Sequence, residues 1–167
     1  DTNDTYEVKV DEESIFDMMT KRRGYDLPVS AFIKNPDGVF APGSSKLEKR
    51  GISDIIPKYI SSNCLKCNMC SLVCPHSVIR PFILNEDEYN KASDSIKSEA
   101  SEITMNGEKY YYVVAVSAKN CTGCGVCIDT CPAKDKALIP NKLSEDEMNK
   151  KQEEFDYLVN NVTNKNL

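Results

Sequence analysis

The chain has 167 residues, a net charge of −5, 40% hydrophobic residues, eight cysteines and no tryptophan. This length suggests one small domain with extensions, and the acidic balance excludes the basic surface that nucleic-acid-binding proteins normally carry. No apolar run is long enough to cross a bilayer, so we expect neither a nucleic acid nor a membrane as a partner.

The N-terminal fifty residues contain no cysteine, and we interpret residues 1–51 as a leader or linker from a preceding domain. Asp11–Arg23 is predicted to form a short helix. Its apolar patch comprises Ile15, Phe16, Met18 and Met19. Asn35–Gly38 is predicted to be a turn, and Ala41–Ser45 an extended linker. Because the chain begins with Asp1 and has no signal-peptide pattern, we expect an internal or processed piece of a longer protein.

The cysteines fall into two runs with the same spacing, Cys-x-x-Cys-x-x-Cys-x-x-x-Cys-Pro. The first run comprises Cys64, Cys67, Cys70 and Cys74, and the second comprises Cys121, Cys124, Cys127 and Cys131. This is the pattern of bacterial two-cluster ferredoxins, in which each run supplies three thiolates to one cluster and its fourth to the other. The spacing therefore predicts two [4Fe–4S] clusters and an electron carrier with no catalytic residue of its own.

The chemistry of a cubane cluster leads to explicit ligand sets. Three closely spaced cysteines let one loop wrap three corners, and the backbone N–H groups of that loop stabilise negative charge on the cluster. The fourth thiolate must approach from another direction. Cluster one is predicted to use Cys64, Cys67, Cys70 and Cys131. Cluster two is predicted to use Cys121, Cys124, Cys127 and Cys74.

Short apolar segments flank each run, so each half is predicted to be a strand, a cysteine loop, one helical turn and a second strand. The proline after the fourth cysteine ends the helical turn, because it cannot continue the hydrogen-bond ladder. We therefore predict an α+β fold of the bacterial two-cluster ferredoxin type over residues 52–143, with a pseudo-two-fold repeat.

An insertion at about 83–112 and a tail at 144–167 extend this fold. The insertion contains a helix-permissive stretch, Glu86–Ser101, and an Asn106-Gly107 pair that is typical of a tight hairpin. Ser144–Glu147 has the pattern of a capping box, which predicts a C-terminal helix. The apolar stripe expected on that helix comprises Met148, Phe155, Leu158, Val159 and Val162.

Two other uses of eight cysteines are four disulfides and zinc bound by Cys-x-x-Cys knuckles. Neither explains why a third and a fourth cysteine recur at the same interval. Thiolate ligands imply a reducing compartment, which would be the cytoplasm or another reducing compartment such as an organelle matrix. His76 is expected at the surface, because the cysteines already complete both ligand sets. The side chains expected to shield the clusters from water are Leu65, Met69, Leu72, Val73, Val126 and Ile128.

Several segments resemble the ferredoxin-like domain of the pyruvate:ferredoxin oxidoreductase family. In the leader they are Leu27–Phe32, Asp37–Phe40 and Lys46–Ile52; around the cysteine runs they are Cys74–His76, Ile79–Pro81, Cys121–Gly125 and Cys131–Lys134. The resemblance covers roughly residues 27–143. It implies a domain that relays single electrons inside a larger 2-oxoacid oxidoreductase.

The resemblance also implies a larger parent enzyme. Such an enzyme holds thiamine diphosphate and a third cluster, is a homodimer, and passes electrons to ferredoxin, flavodoxin or a fused flavin reductase that serves NADP. The chain contains no Gly-Asp-Gly signature of a thiamine diphosphate site, so it should not decarboxylate pyruvate alone. The alternatives are a free-standing two-cluster ferredoxin and a zinc-stabilised structural module.

Overall fold

The computed structural model describes residues 12–40, 42–44 and 49–165, and the chain divides into two units between Arg50 and Gly51. All eight cysteines lie in the second unit. Within the described ranges, no helix is both long and apolar enough to span a membrane.

The first unit is built around helix α1 (Glu12–Thr20), which ends three residues before the predicted Arg23. Ile15 and Phe16 are buried, whereas Met19 of the predicted apolar patch is 45% exposed. The Phe16 ring lies 4.9 Å from the ring of Phe40. This aromatic contact helps to bury Phe16.

The predicted turn at Asn35–Gly38 is confirmed, because the Gly38 N–H donates to the Asn35 carbonyl at 3.0 Å. The Asn35 side chain also donates to the carbonyl of Val39 at 2.7 Å. Residues 41 and 45–48 lie outside the described residues, and with them parts of the predicted linker Ala41–Ser45 and of the leader segment Lys46–Ile52.

The second unit contains two antiparallel sheets. The first pairs β1 (Ile55–Tyr59) with β5 (Leu138–Lys142), and the second has the order β2 (Ile79–Leu84), β4 (Glu108–Val116), β3 (Ser101–Met105). The first cysteine run lies between β1 and β2, and the second between β4 and β5. Each strand that precedes one run therefore pairs with the strand that follows the other run.

Short helices complete each cysteine segment. The first run contains α2 (Met69–Leu72) and the second contains α5 (Val126–Asp129). A 3₁₀ turn precedes each run, at Ser61–Asn63 and at Ala118–Asn120. The predicted order of strand, loop, helical turn and strand is present in both halves, while the pseudo-two-fold relation itself stays a prediction.

The insertion between β2 and β4 forms two helices and β3. The helix-permissive stretch is divided into α3 (Glu86–Lys91) and α4 (Asp94–Glu99), because Ser93 caps the start of the second helix. The predicted Asn106-Gly107 hairpin is confirmed, with positive φ values of 53° and 83° that suit a tight turn.

Helix α6 (Glu145–Asn161) confirms the predicted C-terminal helix and its capping box at Ser144. Its buried face comprises Met148, Gln152, Phe155 and Leu158. Val159 of the predicted stripe is instead 43% exposed. The helix packs Leu158 into a core that also contains Tyr59, Ile79, Leu84, Val113 and Leu138. A second, smaller cluster contains Met148 of the same helix together with Ile56, Val78, Ala118 and Cys121, so α6 packs against both.

Candidate metal centre

The two cysteine loops follow the same backbone path. Lys66 and Asn68 of the first loop have φ values of 56° and 59°, and Gly123 and Gly125 at the matching places of the second have 66° and 78°. Glycine adopts this left-handed conformation readily, whereas other residues are strained in it. In the first loop the Tyr112 hydroxyl donates to the Asn68 side-chain oxygen at 2.6 Å and helps to hold that conformation.

Two separate cavities open beside these loops, and each is lined by four cysteines. The first cavity is lined by Cys64, Cys67, Cys70 and Cys131. The second cavity is lined by Cys74, Cys121, Cys124 and Cys127. In each cavity three cysteines come from one run and the fourth comes from the other run. These are the groupings that the sequence analysis assigned to clusters one and two, although ligation itself stays a prediction.

In each cavity the four cysteines line an open space and do not converge on one point. A zinc ion needs four ligands, with sulfurs about 2.3 Å away. Among the residues that the structure describes, no three Cys, His, Asp or Glu side chains group closely enough to hold one metal ion. All eight cysteines are free thiols. Four sulfurs around a cavity fit the larger body of a cubane cluster, whose four irons each bind one thiolate.

Burial sets the electrostatics of the inner thiols. It raises the pKa of Cys70 and of Cys121, partly offset by backbone hydrogen bonds, and it raises the pKa of Cys127 to about 11 with further contributions from neighbouring cysteines. Buried thiols disfavour the charged form unless a positive charge compensates it. Metal ligation requires the thiolate, so loading of these cavities would release protons.

Backbone amides already point at cysteine sulfurs. The Lys66 N–H lies 3.3 Å from the Cys64 sulfur, and the Val78 N–H lies 3.4 Å from the Cys74 sulfur. Such N–H groups stabilise negative charge on thiolates. The Lys66 amide thus faces a sulfur of the first cavity, and the Val78 amide faces a sulfur of the second cavity.

The predicted shield is only partly right. Leu65 lines the first cavity and Ile128 the second, but Leu65 is 65% exposed. Leu72 is 80% exposed and lines neither cavity. It was expected to cover a cluster because it is apolar and close to the cysteines in sequence. On the single turn of α2, however, it is exposed to solvent.

The cavity walls also contain side chains that sequence reasoning missed. Tyr59 and Tyr112 line the first cavity, whereas Ile55 and Val116 line the second. The sequence repeat could have identified two of these cavity-lining residues, because Tyr59 and Val116 each lie five residues before the first cysteine of a run. His76 is exposed, as expected, and lies at the second cavity.

Comparison with known protein families gives two matches. Residues 63–134 match a 4Fe-4S dicluster domain, a range that contains both cysteine runs. Residues 13–53 match the EKR domain, which is described as a domain of unknown function. The second match covers most of the segment that precedes the cysteines.

Relatives with curated names include pyruvate-flavodoxin and pyruvate:ferredoxin oxidoreductases and an NADP(+) pyruvate dehydrogenase. The chain is 40% identical over 129 residues to pyruvate-flavodoxin oxidoreductase of Klebsiella pneumoniae, covering 77% of this chain and 11% of the relative. It is 44% identical over 123 residues to pyruvate:ferredoxin oxidoreductase of Moorella thermoacetica, covering 74% and 10%. It is 39% identical over 137 residues to pyruvate dehydrogenase (NADP+) of Cryptosporidium parvum, covering 82% and 7%.

The chain thus spans about a tenth of the length of the curated relatives it matches. That tenth contains the paired cysteine runs, the cavities that they line and most of the segment that precedes them. Over most of its length the chain is therefore a homologue of the 4Fe-4S ferredoxin-like part of the pyruvate:ferredoxin, pyruvate-flavodoxin and pyruvate:NADP oxidoreductases.

Proposed function

We propose that the chain is an electron-relay unit that carries two [4Fe–4S] clusters with crossed ligands. Cluster one is held by Cys64, Cys67, Cys70 and Cys131, and cluster two by Cys74, Cys121, Cys124 and Cys127. The observation that carries the proposal is the grouping of the eight thiols into two cavities of four, each drawn from both runs. When bound, each cluster accepts and donates one electron at low potential.

In the parent enzyme, the proposed role is to pass single electrons from a thiamine diphosphate site to an acceptor. The relatives are named for flavodoxin, ferredoxin and NADP(+), yet all share this stretch at about 40% identity. A common relay that serves different acceptors accounts for this. The thiamine diphosphate, a third cluster and the homodimeric assembly belong to the parent enzyme, and the other parent domains are the immediate partners.

The proposed domain organisation follows the same reasoning. Residues 1–51 lead in from a preceding domain, residues 52–143 form the ferredoxin-like domain with its insertion at about 83–112, and residues 144–167 form a helical tail. Thiolate ligation requires a reducing compartment, for which the cytoplasm is the simplest proposal.

The first experiment is metal and sulfide analysis of the chain purified without oxygen. Two cubane clusters give about eight irons and eight acid-labile sulfides per chain. About two zinc ions and no sulfide would instead establish the zinc-stabilised module. A reduced sample should show two interacting paramagnetic centres by EPR, and it should reduce a flavodoxin or ferredoxin in one-electron steps without turning over pyruvate.

The crossed ligands are tested with two double variants that each remove two cysteines. If Cys64 and Cys131 serve one cluster, the variant C64A/C131A should keep the other cluster and about four irons. The variant C64A/C74A should then damage both clusters and keep fewer irons. The opposite ranking, with more iron in C64A/C74A, would show that each run closes on its own cluster and would overturn the crossed assignment.

A further inference from the structure

The hydroxyl of Tyr59 is a buried polar group for which the described part of the chain provides no hydrogen-bond partner. Tyr59 is the last residue of β1 and is 6% exposed. Among the described residues, no group forms a hydrogen bond of acceptable geometry with its hydroxyl. Buried hydroxyls are almost always hydrogen-bonded, because leaving one unpaired loses its hydration without replacement. A buried hydroxyl of this kind calls for a hydrogen-bond acceptor close to it.

The surroundings of Tyr59 identify that acceptor. The side chain lines the first cavity together with Cys64 and Cys70. Cys64 and Cys70 also pack against the buried cluster that contains Tyr59, so their sulfurs lie close to its ring. A neutral thiol is a weak acceptor, whereas a thiolate bound to iron carries negative charge and accepts a hydrogen bond more strongly.

The second tyrosine of this cavity does not have a free hydroxyl. The Tyr112 hydroxyl donates to Asn68 at 2.6 Å, so its hydrogen is already used in the loop. Tyr59 is therefore the tyrosine at this cavity that still has a proton to donate.

The repeat provides an internal comparison. The residue five positions before the first cysteine is Tyr59 in the first half and Val116 in the second, and each lines the cavity of its own half. Valine has no donor. The two cavities thus have similar cysteine sets and the same loop conformation, but the first has a hydroxyl where the second has two methyl groups.

Resting on the proposed function, we propose that the Tyr59 hydroxyl donates a hydrogen bond to the iron-bound sulfur of Cys64 and raises the reduction potential of cluster one. The reduced cluster is the more negative state, so a hydrogen bond to its thiolate stabilises it more than the oxidised state. Tyr59 is thus a tuning residue that makes the two clusters unequal, and it favours residence of the electron on cluster one.

The test uses the full chain loaded with both clusters and titrated potentiometrically under EPR detection. Tyr59→Phe should lower one of the two potentials by about 59 mV, which is a tenfold change in a one-electron equilibrium, and leave the other in place. Tyr110→Phe is the matched control, because its hydroxyl donates to Glu108 and lines neither cavity. It should leave both potentials unchanged. Unchanged potentials, or an equal fall of both, in iron-loaded Tyr59→Phe would overturn the inference and leave the proposed function intact.

A second substitution tests the inference even if the Tyr59→Phe variant does not bind its clusters. Replacement of Tyr59 by 3-fluorotyrosine keeps the shape of the ring and makes the hydroxyl a stronger donor. One potential should then rise above that of the wild type, and an unchanged value would overturn the inference. A wild-type chain that binds zinc in place of iron would overturn the inference and the proposed function together.

Discussion

Gly123 in the second cysteine loop lies tightly against Ser53, and its replacement by alanine should destabilise the loaded domain. The residue has a φ of 66°, and a Cβ added to it would lie 2.2 Å from the Ser53 hydroxyl oxygen and 3.0 Å from the Ile55 carbonyl oxygen. Side chains at such a φ are strained, and the first distance is far inside van der Waals contact. Gly123→Ala therefore combines backbone strain with a steric clash.

The expected loss in the free energy of unfolding of Gly123→Ala has two contributions. The left-handed backbone costs about 1–2 kcal/mol for a residue with a Cβ. Relief of the clash requires Ser53 to move, which would break its hydrogen bonds to the Ile55 N–H and carbonyl at 3.2 and 3.1 Å. Two such bonds contribute about 1–3 kcal/mol together. The total expected destabilisation is about 2–5 kcal/mol.

Gly125 provides a matched control in the same loop. Its φ is 78°, but no described heavy atom lies within 4 Å of an added Cβ. Gly125→Ala should therefore show only the backbone contribution of about 1–2 kcal/mol. Both variants are compared with the wild type by anaerobic guanidinium unfolding, followed by the loss of cluster absorbance and by circular dichroism.

A compensating variant separates the two contributions. Ser53→Gly removes the hydroxyl and the Cβ that crowd position 123, so the double variant S53G/G123A should be more stable than the sum of the two single losses predicts. Strict additivity, or an equal loss for Gly123→Ala and Gly125→Ala, would refute the steric reasoning and leave backbone strain as the whole effect.

Two further changes test the attachment of the C-terminal segment. Gln152→Met should lower the free energy of unfolding by about 2–3 kcal/mol, because it leaves the buried Ser117 hydroxyl and a backbone amide without their acceptor. Thermal unfolding measures this loss. The exposed Glu153→Ala is the control and should change the stability little. Burial raises the pKa of Glu88, but hydrogen bonds from the C-terminal segment outweigh it and hold the value at about 2, below the ordinary 4.5. The stabilisation is therefore present above pH 4.5 and is lost as the pH falls through 2. Glu88→Gln should lower the melting temperature at pH 7, and its difference from the wild type should shrink as the pH falls below 4.5. The exposed Glu86→Gln should change the melting temperature little.

Local signals were enough to predict much of the second unit. The capping box at Ser144, the Asn106-Gly107 hairpin and the order of strand, loop and turn around each cysteine run depend on neighbouring residues, so they can be read from short windows. The division of Glu86–Ser101 into two helices was missed. Its cause, the Ser93 cap, is also local but lies inside a stretch of generally helical composition.

Features that depend on distant parts of the chain were harder to predict. Gln152 is absent from the predicted stripe on α6, because glutamine is normally exposed and its partners Ser117 and Lys119 are more than thirty residues away. Leu72 was expected to be covered because it is apolar, yet the single turn of α2 leaves it exposed. The long-range pairing that decides the burial of Gln152 has no signature in a local window.

The crossed arrangement has a mechanical consequence for the two halves. The Ile60 N–H donates to the Ala137 carbonyl, and the Ser117 N–H donates to the Val78 carbonyl, both at 2.8 Å. Each bond joins the approach to one cysteine run with the exit from the other, as the two sheets do. A metal cluster held by thiolates from both runs would add a second link between the same segments. Because ligation and backbone pairing then join the same segments, each cluster would reinforce a connection that the strand pairing already makes.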